Sequence, residues 1–122
     1  MGTPTTFTEI IEEKSNFKYT ATLKDEAGVL VTTLDSLTLT LYDEDSKNIV
    51  NSRNVQDILN ANNGTFSSGV ITFNGQPADS TPVDQTKGTV VHRAMFDASW
   101  NAGAGRRPWE VRFIIRNLVK LT

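Results

Sequence analysis

The chain has 122 residues, which suits one domain and is too short for two adequate hydrophobic cores. Apolar residues make up 38% of it and charged residues 21%, a composition that excludes wholesale disorder. The net charge of -2 offers no basic field for nucleic acid or an anionic membrane, and the absence of cysteine excludes disulfides and thiolate metal sites and suits a reducing cytoplasm.

The N-terminal segment 1–16 is rich in threonine and glutamate, and its lack of a basic stretch followed by an apolar one predicts no export. Ile10 and Ile11 form its only adjacent apolar pair. We predict an arm or a short strand, which Phe7, Ile10 and Ile11 dock on a neighbouring surface. The folded domain is predicted to cover residues 17–122.

Alternation of apolar and polar residues predicts strands in the first half of this domain. The apolar members of the first strand are Phe17, Tyr19, Ala21 and Leu23. A turn at 25–28 leads to a short predicted strand at 29–31. The clearest alternation, at 36–42, predicts a strand whose core-facing residues are Leu37, Leu39 and Leu41.

Helical spacing replaces alternation after the polar turn at 43–48. Val55, Ile58 and Leu59 recur at three- and four-residue intervals, which predicts one or two helical turns. Asn54 is placed to cap the start, and residues 62–64 can adopt the left-handed dihedrals that end a helix. Extended structure then returns at 65–66 and 70–73, followed by a long loop at 74–88.

A hairpin is predicted in the last third of the chain. If Trp100 faces Trp109 across a tip at 101–108, both faces of the hairpin match. That register pairs Ala98 with Val111, Phe96 with Phe113 and Ala94 with Ile115, and on the other face Asp97 with Arg112 and Ser99 with Glu110. About seven short strands and no long amphipathic helix predict an all-β, immunoglobulin-like antiparallel β-sandwich with one short helical turn and an N-terminal arm.

No residue pattern indicates catalysis, a metal or a cofactor. His92 is the only histidine and has no cysteine to act on, so we interpret it as a structural residue at a sheet end. The acidic run 43–45 fails as a calcium loop because Lys47, Asn48 and Asn54 stand where ligands or glycine are needed. We interpret the run as a solvated turn.

Glycines and arginines are concentrated at the predicted hairpin tip. The run 103–107 lacks the third glycine and the following helix of a phosphate-binding loop, so we interpret it as a flexible tip. Arg106 and Arg107 would be exposed there for recognition of a protein or an anionic surface. Trp100 and Trp109 either staple the hairpin or present a stacking surface for sugar or protein. These four residues are the predicted binding residues of the tip.

Two stretches resemble Ig-like modules, in which a turn marked by glycine precedes a strand ending Leu-Tyr-Asp: residues 19–28 and 37–43. Such modules are widespread in bacterial surface and phage virion proteins. With residues 48–53, 58–60 and 100–118, the chain is similar to small Ig-like structural proteins of tailed bacteriophages.

This resemblance covers residues 17–118 and implies a scaffold that carries no transferable site. It implies a non-enzymatic virion protein, made in the bacterial host cytoplasm and attached at the capsid, neck or tail as a decoration or connector module. Its partners would be other virion proteins and further copies of itself. The alternative is a carbohydrate- or host-surface-binding adhesin module that uses the tip residues.

Overall fold

The computed structural model describes residues 15–81 and 88–116, together with the backbone of residues 5–12. The strands within these residues are β1 (Thr5–Glu12), β2 (Phe17–Thr22), β3 (Ser36–Asp43), β4 (Gln56–Asp57), β5 (Gly64–Ser67), β6 (Val70–Gly75), β7 (Thr89–Trp100) and β8 (Gly105–Arg116). One 3₁₀ turn spans Pro77–Asp79. None of the described segments is a helix long and apolar enough to cross a membrane.

The strands form two sheets. The order is β1-β8-β7-β3-β4 in the five-stranded sheet and β2-β6-β5 in the three-stranded sheet. Every pair is antiparallel except β1 and β8, which run parallel from Thr5 opposite Trp109 to Glu12 opposite Arg116. The segment predicted as an arm therefore contains a strand that is paired with the last described strand of the same chain.

The sheets face each other across a core rich in aromatic rings. Tyr19 of β2 stacks on Phe96 of β7 with 5.3 Å between ring centroids, and Phe17 lies 5.1 Å from Phe113 of β8. The core-facing leucines predicted on β3 are all fully buried, namely Leu37, Leu39 and Leu41. The predicted all-β, immunoglobulin-like antiparallel sandwich is confirmed at the level of its two facing sheets.

The helical turn predicted around residues 54–62 is wrong. Val55 has a φ of 47°, outside the right-handed helical region, and the two residues after it pair with β3 as β4. The backbone N–H of Val55 donates to the Thr40 hydroxyl, and that of Ile58 donates to a β3 carbonyl. A helix that starts at Asn54 would bond the Ile58 N–H to its own backbone, whereas here β3 accepts that hydrogen bond. The short helical element lies instead at Pro77–Asp79, in the loop predicted at 74–88.

The strand predicted at 29–31 is also wrong. A single isolated bridge joins Leu30 to Lys24, and Val29 is 60% exposed. The turn before it is confirmed, because the Asp25 carboxylate accepts hydrogen bonds from the backbone N–H groups of Ala27 and Val29.

The predicted hairpin is formed by β7 and β8, but its predicted register is wrong. Trp100 lies opposite Gly105, and Trp109 lies opposite Phe96, so the tip is residues 101–104 and every other predicted pair shifts as well. An even shift leaves each side chain on its own face, so alternation of apolar residues does not distinguish the two registers. The glycine at position 105 distinguishes them, because a Cβ at this position would come within 2.1 Å of the Trp100 indole nitrogen.

Candidate interaction surface

Trp109 lies in the core and not at the hairpin tip. It is 4% exposed, stacks on Phe96 at 5.1 Å between ring centroids, and donates a hydrogen bond from Nε1 to the Tyr19 hydroxyl at 3.0 Å. The prediction that Trp109 binds a sugar or a protein at the tip is therefore wrong. The physical reason is the register of the hairpin, which places this residue four positions inside β8 from Gly105.

The other three predicted tip residues do lie together. The Trp100 indole covers Gly105 and packs partly against the core, so it staples the hairpin through glycine and not through a second tryptophan. Arg106 Nη2 lies 2.7 Å from Asp97 Oδ2 in an exposed ion pair, which raises the pKa of the guanidinium. Arg107 is exposed and forms no ion pair with the described residues.

The predicted docking residues of the arm belong to β1. In the parallel register their backbone partners are Val111 for Phe7, Ile114 for Ile10 and Ile115 for Ile11. This backbone pairing is made within one chain. A role for Phe7, Ile10 and Ile11 in docking on a second protein stays a prediction.

His92 is fully buried in β7, and its Nδ1 lies 3.0 Å from the carbonyl oxygen of Asp79. Burial lowers the pKa of the ring, because the interior disfavours its charged form, while the hydrogen bond to Asp79 and the charges of Asp43 and Asp79 oppose that shift. No described atom forms a hydrogen bond with Nε2. A ring enclosed in this way supports the structural interpretation of His92.

Arg53 and Asp79 form a buried ion pair that the sequence did not predict. Their side chains are 3% and 0% exposed, and Nε and Nη2 of Arg53 donate to the two carboxylate oxygens at 2.5 and 3.0 Å. The guanidinium carbon lies 4.8 Å from the centre of the Phe73 ring. The remaining guanidinium hydrogen bonds go to Gln56, Asn62 and Asn63. This cluster fixes the irregular segment between β3 and β5.

The acidic turn at 43–48 divides between interior and surface. Asp43 is 5% exposed and accepts hydrogen bonds from the backbone N–H and the hydroxyl of Ser46, so the turn is confirmed but its first carboxylate is not solvated. Glu44 instead contacts two arginines of β7 and β8. The described part of the chain contains no group of three or more histidine and acidic side chains that could hold a metal ion.

The outward side of the five-stranded sheet, which we call the outer face, has an apolar patch that runs from β7 to the β4 edge. Val55 is 67% exposed, Ile49 is 40% exposed and Met95 is 37% exposed. Met95 lies opposite Thr40, whose hydroxyl binds the N–H of Val55, and Ile49 bridges to Tyr42. Because residues paired across strands point to the same side of a sheet, the two pairs share this face. The exposed Val55 lies next to Thr40 at the β4 edge of the same patch.

Ion pairs border this patch on the β8 side. Arg93 Nη1 lies 2.5 Å from Glu110 Oε1, and Glu44 Oε2 lies 3.3 Å from Arg93 and 3.4 Å from Arg112. The two arginines face each other across β7 and β8, so Glu44 screens a repulsion between like charges. The hydrogen bond that Arg93 donates to Glu110 contributes most to raising the pKa of Arg93. Burial, followed by the charge of Glu110, raises the pKa of Tyr42.

Comparison with known proteins places the chain in no established family. No protein-family model and no curated protein matches it. A solved structure of a family 123 glycoside hydrolase from Clostridium perfringens is similar to it with a TM-score of 0.39 and 7% sequence identity. The likeness covers 93% of this chain and 23% of that one. A similarity of this degree carries no argument about function.

Proposed function

We propose that this chain is a non-enzymatic structural protein of a tailed-bacteriophage particle, which assembles on the capsid, neck or tail as a decoration or connector module. The resemblance of residues 17–118 to small Ig-like phage proteins supplies the setting. The outer face supplies the observation that carries the proposal. Tyrosine, methionine and arginine are enriched in the contact regions of protein interfaces, and all three occur together on this face.

The absence of catalysis in this proposal is supported by where the reactive groups lie. His92 is enclosed in the core, and its Nδ1 is next to a backbone carbonyl. The Asp79 carboxylate accepts hydrogen bonds from Arg53, Asn51 and the backbone N–H of Gln76. Groups held in this way stabilise the fold and do not reach a substrate.

The test is to count copies of the chain in purified particles of the virus that encodes it, by quantitative mass spectrometry. We expect a fixed ratio of this chain to the major capsid protein. Met95→Arg, which places a charge in the apolar patch, should reduce that ratio. Val29→Asn, at an exposed position outside the outer face, should leave the ratio unchanged. Particles that never contain the wild-type chain contradict the proposal.

The N-terminal segment offers a second test of assembly. Deleting residues 1–16 removes β1 and leaves the seven other strands of the two sheets. If the arm attaches the domain to the particle, the deletion lowers occupancy while the purified domain still unfolds cooperatively. Unchanged occupancy would show that attachment does not use the arm.

An adhesin module is the second candidate, and the exposed Arg107 beside Arg106 at the tip favours it. The burial of Trp109 removes one of the two rings on which this candidate depended. A glycan array on the purified chain tests it. Specific binding that is lost in Arg107→Ala, with the thermal midpoint unchanged, would favour the adhesin over the assembly module.

A further inference from the structure

We propose that the outer face is the contact between two copies of this chain, paired about a twofold axis. This inference rests on the proposed function for its place in a particle, and it names the partner of the same surface. Three properties of the outer face carry it: a strained and exposed valine at its β4 edge, a balanced set of paired charges, and its extent.

Val55 is unfavourable for the fold in two respects. Its φ of 47° lies in the left-handed region, where a β-branched side chain is strained, and its 67% exposure leaves little stabilisation from burial. The neighbouring Arg53 is held in the interior by Asp79, so the segment does not relax this strain by moving. Contact with another molecule would bury this side chain, which the fold itself leaves exposed.

The charges of the outer face suit a second copy of the same surface. Among the described residues, the ion pairs of this face join three carboxylates to three guanidinium groups: Glu44, Asp97 and Glu110 with Arg93, Arg106 and Arg112. A face with this balance neither attracts a strongly charged partner nor repels itself. The side chains are also held in place before contact, which lowers the entropy lost on association. A twofold axis then sets the two apolar patches against each other.

The extent of the face also fits a dimer contact. Strand β7 has 12 residues, and at ~3.4 Å per residue a strand of this length extends roughly 40 Å. The three spacings from β8 to β4, at ~4.8 Å each, add a width of roughly 15 Å. The resulting face, roughly 600 Å² before side-chain relief is included, approaches the ~800 Å² per partner of a standard interface.

The test is sedimentation velocity of the full chain over a wide concentration range. We expect a monomer–dimer equilibrium whose dissociation constant rises at least ~10-fold in Val55→Asn, as for removal of an apolar contact residue that the interface buries. The thermal midpoint of the Val55→Asn monomer should stay the same or rise, because asparagine adopts positive φ more readily than valine. Val29→Asn is the matched control, since Val29 is 60% exposed but lies outside the outer face, and it should leave the dissociation constant unchanged.

Cysteine crosslinking places the contact on this face independently. The chain contains no cysteine, so Met95→Cys and Val29→Cys each introduce a single thiol. Mild oxidation should yield disulfide-linked dimers from Met95→Cys and none from Val29→Cys. Equal crosslinking of the two variants overturns the proposal.

A chain that stays monomeric at the highest concentration also overturns the inference, as does a dimer that Val55→Asn leaves unchanged. If the chain is monomeric but is still incorporated into particles, and Met95→Arg abolishes incorporation, then the outer face binds a different protein. That result overturns the inference and agrees with the proposed function. If the chain forms a dimer through this face but is absent from particles, the inference holds and the proposed function is contradicted.

Discussion

Arg53 and Asp79 form two hydrogen bonds in the interior of the sandwich, although the two residues are 26 positions apart in sequence. Removing one partner from a buried pair leaves the other charge without compensation. We therefore expect Arg53→Met to lower the free energy of unfolding by about 3–5 kcal/mol. Urea denaturation followed by tryptophan fluorescence measures the change.

The exposed pair of Arg106 and Asp97 provides the matched control. Its side chains are 59% and 37% exposed, so solvent already screens the two charges. Arg106→Met should therefore change the free energy of unfolding far less than Arg53→Met does. Equal losses in the two variants would mean that Arg53 contributes no more than a surface ion pair.

Stability should fall on mild acidification because of His92. Folding keeps this ring neutral, while the ring of the unfolded chain takes up a proton below about pH 6.5. The unfolded state therefore binds more protons in this range, and each pKa unit of lowering removes about 1.4 kcal/mol of stability. The loss begins near pH 6.5 and ends at the lower pKa of the folded state.

Urea midpoints at pH 7.5 and 5.5 measure this dependence. Because His92 is the only histidine, His92→Gln should flatten the change over this interval, although the variant itself is less stable. A variant that keeps the wild-type slope would assign the dependence to other groups.

The contact between Trp100 and Gly105 should make glycine necessary at this position. Gly105→Ala places a methyl group against the indole, and we expect a loss of about 1–3 kcal/mol together with a shift in tryptophan emission. In a Trp100→Ala background the same substitution should be much less costly, because the atoms it meets are absent. Gly103→Ala, at a φ of 86° with open space around it, should be equally costly in both backgrounds.

The hydrogen bond from Trp109 to Tyr19 links β8 to β2 across the core. Trp109→Phe keeps an aromatic ring next to Phe96 and removes the donor, and we expect a loss of about 1 kcal/mol or more. A double-mutant cycle with Tyr19→Phe should show a coupling energy that a cycle of Trp100→Phe with Tyr19→Phe lacks. If the two cycles give the same coupling energy, the hydrogen bond makes no specific contribution.

Local patterns in the sequence were sufficient to predict the strands and their buried faces where the backbone is regular. Alternation placed Leu37, Leu39 and Leu41 correctly, because one face of β3 is fully buried and the other is not. The hairpin between β7 and β8 was found for the same reason. The register of the hairpin was predicted wrongly, because a shift of four residues leaves every side chain on the same face. The close approach of Trp100 to Gly105 distinguishes the two registers.

The conformation of the irregular segment between β3 and β5 could not be predicted from local sequence patterns. Val55, Ile58 and Leu59 have the spacing of a helix, but their conformation is set by hydrogen bonds to β3 and by the long-range cluster around Arg53. No local signal in the sequence marks Arg53 as a buried residue. The apolar patch of the outer face was missed for a related reason, because it is assembled from β3, β7 and this irregular segment.

The parallel pairing of β1 with β8 has a mechanical consequence. Tension applied between Thr5 and Arg116 pulls the two strands along their length in opposite directions, because both run the same way with Thr5 opposite Trp109. The hydrogen bonds between them lie across the direction of the force and resist as a set, whereas a hairpin pulled at its open end separates one bond at a time. A domain pulled in this direction should therefore unfold slowly, because the eight-residue ladder between β1 and β8 has to shear as a unit.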